Sequence, residues 1–280
     1  MTSASGRAHI GLALLRRAAS IGRAQAEPDV EELETLRAGV RAGALDEVSP
    51  SQAWPEIAAG LMAPAPARSM QLLRGCGALR HFLPEVEALF GVPQIAEGEV
   101  NADLGELLVN ALNEAALCDA PLSVRFALIV MNVGKSDSPR EHLPVHYGHI
   151  ERGRPRIEAI CARFDAPTAC RDLALLAIAE GERVHRVSRV RAGPVAAMLE
   201  RLGAFGEGSR FDELMMVCAC DFRAYRGRSG QAYPKAAILA AALDACRDIA
   251  APLDDADIAA ARAKAIAKVF ASERWADAAV

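Results

Sequence analysis

The 280-residue chain is poor in aromatic residues, 5% of the total, and only four of its 32 basic residues are lysines. With few large rings, the core must be filled by Ala and Leu. With few lysines, any phosphate contact falls mainly to guanidinium forks, although a GC-rich genome gives the same arginine bias. β-Branched alternation bounded by hairpin turns is nearly absent, which argues against a sandwich or barrel. No apolar stretch approaches the roughly 18 residues that cross a bilayer. Gly11–Leu15 is too short for a signal core and runs into Arg16-Arg17. A cytoplasmic protein with no membrane partner is expected. Strong charge is also lacking: at −4 the whole surface does not attract nucleic acid, so any RNA contact must be local. The seven cysteines are odd in number and scattered through apolar stretches, as expected of reduced core residues. Cys218-Ala-Cys220 is the closest pair, but positions i and i+2 of a helix diverge by about 200°, so no metal clip is expected there.

What is present is helix-forming. The chain is 52% hydrophobic and dominated by Ala, Leu, Glu and Arg, which predicts an all-α, multi-helical array. Periodicity predicts a first helix from Ile10 to before Glu27-Pro28-Asp29, and a second through Val30, Leu33, Leu36 and Val40 that ends at Gly43. Ser49-Pro50-Ser51-Gln52 has the form of a capping box for a helix to Met62, with Pro55 a possible distortion. Further helices are expected at Ser69–Cys76, Leu79–Phe90, Asp103–Leu117 and around Phe126. Others follow at 150–164, 168–180, 194–203, 210–225, 235–249 and 256–272. The domain boundary is placed near residue 95, dividing the chain into 1–94 and 95–280, the second ending in a tail helix.

Several constellations invite chemical readings. His142, His146 and His149 are spaced to share a helix face as zinc ligands do, but Pro144 and Gly148 oppose such a helix. A loop that packs or binds anions is the alternative. Asn132-Val133-Gly134-Lys135-Ser136 lacks the first glycine of a phosphate loop, and a C-cap glycine followed by lysine accounts for it. Asp255-Ala256-Asp257 has a two-metal D-x-D form, yet it opens a helix, where acids meet the macrodipole favourably. Between residues 140 and 228 there are 15 arginines against 12 acids, clustered around Arg152, Arg154 and Arg156, around Arg186 and Arg189, and around Arg226 and Arg228. These form either an RNA-facing surface or solvated, ion-paired helix faces.

Several segments resemble the bacterial CCA-adding tRNA nucleotidyltransferases that carry a C-terminal HD phosphohydrolase domain. They are Val48-Ser49-Pro50, Trp54–Met62, Leu72–Leu79, Leu83–Gln94, Val124–Ala127, His146-Tyr147-Gly148-His149, Arg171–Ala174, Arg226–Gly230 and Tyr233-Pro234. The likeness covers roughly residues 30 to 250 and is most specific from Leu72 to Gln94. It implies neck, body and HD regions, with the chain beginning where the family's neck would end, so nucleotide polymerisation is not expected. It also places metal ligands where Leu107, Met131-Asn132 and, nearby, Glu182-Arg183 stand, and a late acid at Asp221. A thioether beside a neutral amide does not hold a hard metal, so the resemblance implies a degenerate HD domain with no catalytic residues, metal or cofactor. It retains the scaffold that supports the acceptor and T arms of tRNA, and a residual pocket of Lys135, His146 and His149.

The reading is therefore a catalytically inactive module that binds tRNA or other structured RNA, or a protein. The RNA-binding candidates are Arg152, Arg154, Arg186, Arg189, Arg226 and Arg228. Against it stands a residual metal-dependent phosphohydrolase acting on nucleotides or phosphoesters, using His142, His146 and His149 with an acid such as Asp137. A third expectation is a homodimer or separate protein partner on apolar surface uncovered within residues 10–40.

Overall fold

Among the described residues of a computed structural model, fourteen α-helices, two short 3-10 turns and one two-stranded antiparallel pair make up the regular structure. The structure describes residues 4–26, 28–96, 102–189, 191–206, 210–249 and 255–277. The all-α expectation therefore holds. By packing, the chain divides into two compact units: Met1–Ala179 with Cys220–Gly230, and Glu180–Ala219 with Gln231–Val280.

In the first unit α1 (Ala4–Ala24) lies on α3 (Pro50–Leu61) and α4 (Pro66–Cys76), burying Leu14, Leu15, Ala18 and Ile21. Between them α2 (Val30–Arg41) is capped by the Asp29 carboxylate, which accepts from the Glu32 amide at 2.6 Å, and has no fully buried residue. The Ser49–Gln52 capping box forms in both directions. Pro55 leaves α3 unbroken, because the carbonyl its ring deprives of a donor belongs to exposed Ser51.

Prolines reset two expected boundaries. Pro66 opens α4 a turn before Ser69 because its fixed φ suits the first helical position. The single helix expected over Leu79–Phe90 is instead α5 (Ala78–Phe82) and α6 (Pro84–Glu87). Leu83, which precedes proline, is forced out of the helical region to φ −131°. A pair absent from the sequence reading follows: β1 (Pro93–Gln94) runs antiparallel to β2 (Ala102–Asp103), with Pro93 opposite Asp103. Asp103 then caps α7 (Leu104–Leu117) by accepting from the Glu106 amide at 3.0 Å. The unit continues through α8 (Leu122–Val130), α9 (His149–Phe164) and the start of α10 (Thr168–His185), which runs past the expected end at 180.

The second unit comprises the rest of α10, α11 (Ala192–Arg201), most of α12 (Phe211–Arg223), α13 (Pro234–Asp244) and α14 (Asp255–Asp277). In it α11 packs on α13 and α14. α13 stops five residues before the expected 249. Asp255-Ala256-Asp257 lies in the first turn of α14, as its capping reading requires.

The centre of the first unit is organised by an arginine without solvent. Arg125 on α8 is only 4% exposed. Its Nε donates to the Ala120 carbonyl at 2.9 Å, and its Nη1 donates to Leu61 at 2.8 Å and Ala63 at 3.0 Å. The guanidinium thus terminates α3 and fixes the α7–α8 turn at once. Burial lowers its pKa, but a guanidinium stays charged. Beside it Trp54 of α3 packs edge-on against Phe126, with centroids 5.6 Å apart, and tilts against Phe164 at 6.1 Å, joining α3 to α8 and α9.

Replacing Arg125 with Met should leave these buried carbonyls without donors and cost about 3 kcal/mol, on the order of 10 °C in Tm. Arg125→Lys should recover only part of this, because one ammonium cannot reproduce the planar fork. Thermal denaturation of both variants checks the ranking, and equal stability of Arg125→Met and the parent would refute it.

Candidate functional site

Every residue of α8 from Ser123 to Val130 is buried, so the helix enters the centre of the first unit and emerges at half-buried Met131 and Asn132. Leu107 is buried on α7, which packs against α8. The chain then makes a 3-10 turn, Val133–Lys135, packed along α9. Gly134 does not act as a left-handed C-cap, because its φ is not positive. Its role is close approach: a Cβ there would lie 1.9 Å from the His149 carbonyl oxygen and 2.6 Å from the Gly153 amide nitrogen. Gly153 on α9 is the complementary gap, with Gly134 N at 3.1 Å from the Cβ it lacks.

Around this glycine contact the loop from Ser136 to Gly148 is fastened by two arginines one turn apart on α9. Arg152 donates to the Gly134 carbonyl at 3.1 Å, the Tyr147 carbonyl at 2.7 Å and Ser138 Oγ at 3.0 Å. Arg156 donates to the Val133 carbonyl at 3.0 Å and grips Asp137 with two bonds of 3.0 and 2.6 Å. The Arg156 hydrogen bonds, outweighing desolvation, hold the Asp137 carboxyl below its ordinary range, and Arg152 adds attraction at 3.3 Å.

The histidines do not converge on one point. His146 is buried with Nδ1 2.8 Å from Ser138 Oγ and Nε2 2.9 Å from the Pro93 carbonyl. The donors form one consistent chain: Arg152 N–H to Ser138 Oγ, Ser138 O–H to Nδ1, and Nε2–H to the β1 carbonyl. Both ring nitrogens are thereby engaged. His149, also buried, has Nδ1 2.9 Å from the His146 carbonyl, whereas exposed His142 stands edge-on to Tyr147 at 5.5 Å. Lys135 is 8% exposed and donates to Gln94 Oε1 at 3.2 Å. Lys135 and His146 therefore both fasten β1. Among the described residues, no group of three or more His, Cys, Asp or Glu is placed to hold a metal ion.

The arginines singled out from the sequence are placed variously. Arg152 serves the loop. Arg154 is exposed on α9, 3.8 Å from Glu158. In the second unit Arg186 is exposed and bonded to Glu182 at 2.8 Å, Arg183 donates to Glu180, and Arg189 is half-buried beyond α10. The exposed pairs Arg154–Glu158 and Arg186–Glu182 are worth little and open easily. Asp221 is half-buried on α12. In the first unit the turn after α12 carries exposed Arg226 and half-buried Arg228, whose guanidinium lies 4.7 Å from the Phe222 ring centre and 5.2 Å from that of Tyr225. That turn is tethered to α7. Asn110 donates to the Ala224 carbonyl at 3.1 Å, and Ser229 donates to the buried Glu114 carboxylate.

The sequence reading missed Ser138, Gln94, Arg156, Asn110 and Glu114 as anchors. The four-residue spacings Arg152/Arg156 and Asn110/Glu114, each on one helix face, were the available signal.

No protein-family model matches the chain. Curated relatives do. The chain is 41% identical to the multifunctional CCA protein of Cupriavidus necator over 215 residues, covering 77% of this chain and 52% of that protein. It is 39% identical to the protein of that name from Acidovorax sp. over 219 residues (78% and 52%), and 41% identical to that of Halorhodospira halophila over 212 residues (76% and 51%). The chain thus spans about half the length of these relatives.

Gly134→Ala should be severely destabilising, on the order of 3 kcal/mol, because the obstructing atoms are backbone. Gly153→Ala should cost less, since its nearest obstacle is the flexible end of Ile178 at 2.3 Å. Urea denaturation of the two variants checks the order. Asp137, with a depressed folded pKa, stabilises fully above the unfolded value near 4, and that contribution is lost as pH falls through the folded value. Asp137→Asn should therefore lower Tm at neutral pH and flatten its decline on acidification. Parallel Tm–pH curves for variant and parent would remove the carboxylate from this role.

Proposed function

The chain is a homologue of part of the multifunctional CCA proteins, and from this we propose that it is an RNA-binding module directed at tRNA whose HD-like region lacks metal-dependent hydrolysis. The observation that carries the second half is the state of the former ligand region. Leu107, Met131 and Asn132 occupy the positions where the resemblance expects ligands, and both ring nitrogens of His146 are spent on Ser138 and Pro93. Asp137, the acid considered for a residual phosphohydrolase, is gripped by Arg156. Binding and turnover separate because holding phosphates needs positioned donors and positive potential, whereas hydrolysis also needs a metal-activated water.

For RNA contact the reading uses Arg152, Arg154, Arg226 and Arg228 on the first unit and Arg186 and Arg189 on the second, Arg152 also fastening its own loop. Their pairing with surface carboxylates does not oppose this role, since such pairs exchange readily for phosphate. The action is assigned to the cytoplasm. No helix among the described residues is long and apolar enough to cross a membrane.

Filter binding of the full chain to tRNA at about 50 and 200 mM salt should show affinity falling steeply with salt. Arg226→Ala should reduce the slope of log K against log salt by about one. Binding no better than that of a matched acidic protein would remove the RNA reading. Stoichiometric manganese, zinc, nickel or iron together with phosphoester hydrolysis would instead establish the phosphohydrolase. Sedimentation of the free chain separates a monomer from a dimer.

A further inference from the structure

Two cysteines far apart in sequence meet in the first unit. Cys118 sits at the C-cap of α7 and Cys220 on α12, and their sulfurs are 3.9 Å apart. Cys118 is exposed and Cys220 is buried. The other five cysteines (Cys76, Cys161, Cys170, Cys218 and Cys246) are buried.

We propose that Cys118 and Cys220 are a redox modification site that closes to an intramolecular disulfide and reopens on reduction. The sulfurs must approach from 3.9 Å to about 2.05 Å. That movement falls on Cys118, the C-cap one residue past the last helical residue of α7, whose side chain is exposed whereas that of Cys220 is buried. Its thiol is shared between the Ala115 carbonyl at 3.6 Å and Cys220, so it already visits the required direction.

Access and burial assign the roles. Burial pushes the Cys220 thiol well above its ordinary range, and no solvent-borne oxidant reaches it directly. The solvent-facing Cys118 thiolate attacks a hydroperoxide, breaking the O–O bond: sulfur is oxidised to sulfenic acid, and the peroxide is reduced to an alcohol or water that takes up a proton. The Cys220 sulfur then displaces the sulfenic oxygen, its proton leaving with that oxygen as water, and the S–S bond forms. Two thiols are oxidised for one peroxide reduced. The bond would join α7 to α12 beside the Asn110–Ala224 and Glu114–Ser229 tethers, clamping the base of the Arg226–Arg228 turn.

The full reduced chain treated with dilute hydrogen peroxide tests this. Under denaturing conditions the titratable thiols should fall from seven to five. Mass spectrometry should find the peptides of Cys118 and Cys220 joined and lighter by two hydrogens. Tm should rise on the order of 5 °C and return with dithiothreitol. Cys220→Ser should show no Tm rise and leave Cys118 as a sulfenic acid captured by dimedone, with Cys220→Ala as the second variant if serine destabilises the core. Cys118→Ser should show neither product. A Cys118 sulfinic acid with Cys220 still a thiol, or a bond joining Cys118 of two chains, would overturn the proposal.

Discussion

A guanidinium removed from water must find acceptors, and Arg125 finds them in three backbone carbonyls from two chain segments, Leu61 and Ala63 at the end of α3 and Ala120 before α8. The cost of burying the charge is offset only when all three are in place, so the group enforces the position of each. The entry of α8 into the core depends on it. So do the delivery of the 133–135 turn to α9 and the packing of Trp54 between Phe126 and Phe164. Leu could bury as much surface at position 125, but it would leave the ends of α3 and α7 free to settle elsewhere.

The surroundings of Met131-Asn132 obey the same rule from the opposite side. Buried polar side chains cannot remain idle, because an unmade hydrogen bond inside a protein costs more than a made one gains. A lysine, two histidines and an arginine clustered near the end of α8 therefore bond to something whether or not a metal is there. They bond to the loop and to β1: Lys135 to Gln94, His146 to Pro93 and Ser138, and His149 to the His146 carbonyl. The polarity of this region serves as fastening, and the same side chains account for the short β1–β2 pair lying where it does.

Much of the architecture was legible because its signals are local. The Ser49 capping box with Pro50 after it and the 3.6-residue stripes each need only a few neighbouring residues. The split of the Leu79–Phe90 segment was also written in Pro84, but apolar periodicity outweighed it in the reading. The site was less legible, because its anchors span long separations. Gln94 meets Lys135 41 residues away, Glu114 meets Ser229 115 residues away, and Cys118 meets Cys220 102 residues away. No helical period announces such pairs. Gly134 read as a turn residue, whereas its purpose is the lack of a side chain facing another glycine.

The double engagement of His146 determines what any ligand would have to displace here. A metal drawing on the ring must first break the Ser138 or Pro93 bond, loosening the loop or the strand with it. One imidazole thus couples the 136–148 loop to β1, so that a disturbance at either end is transmitted to the other.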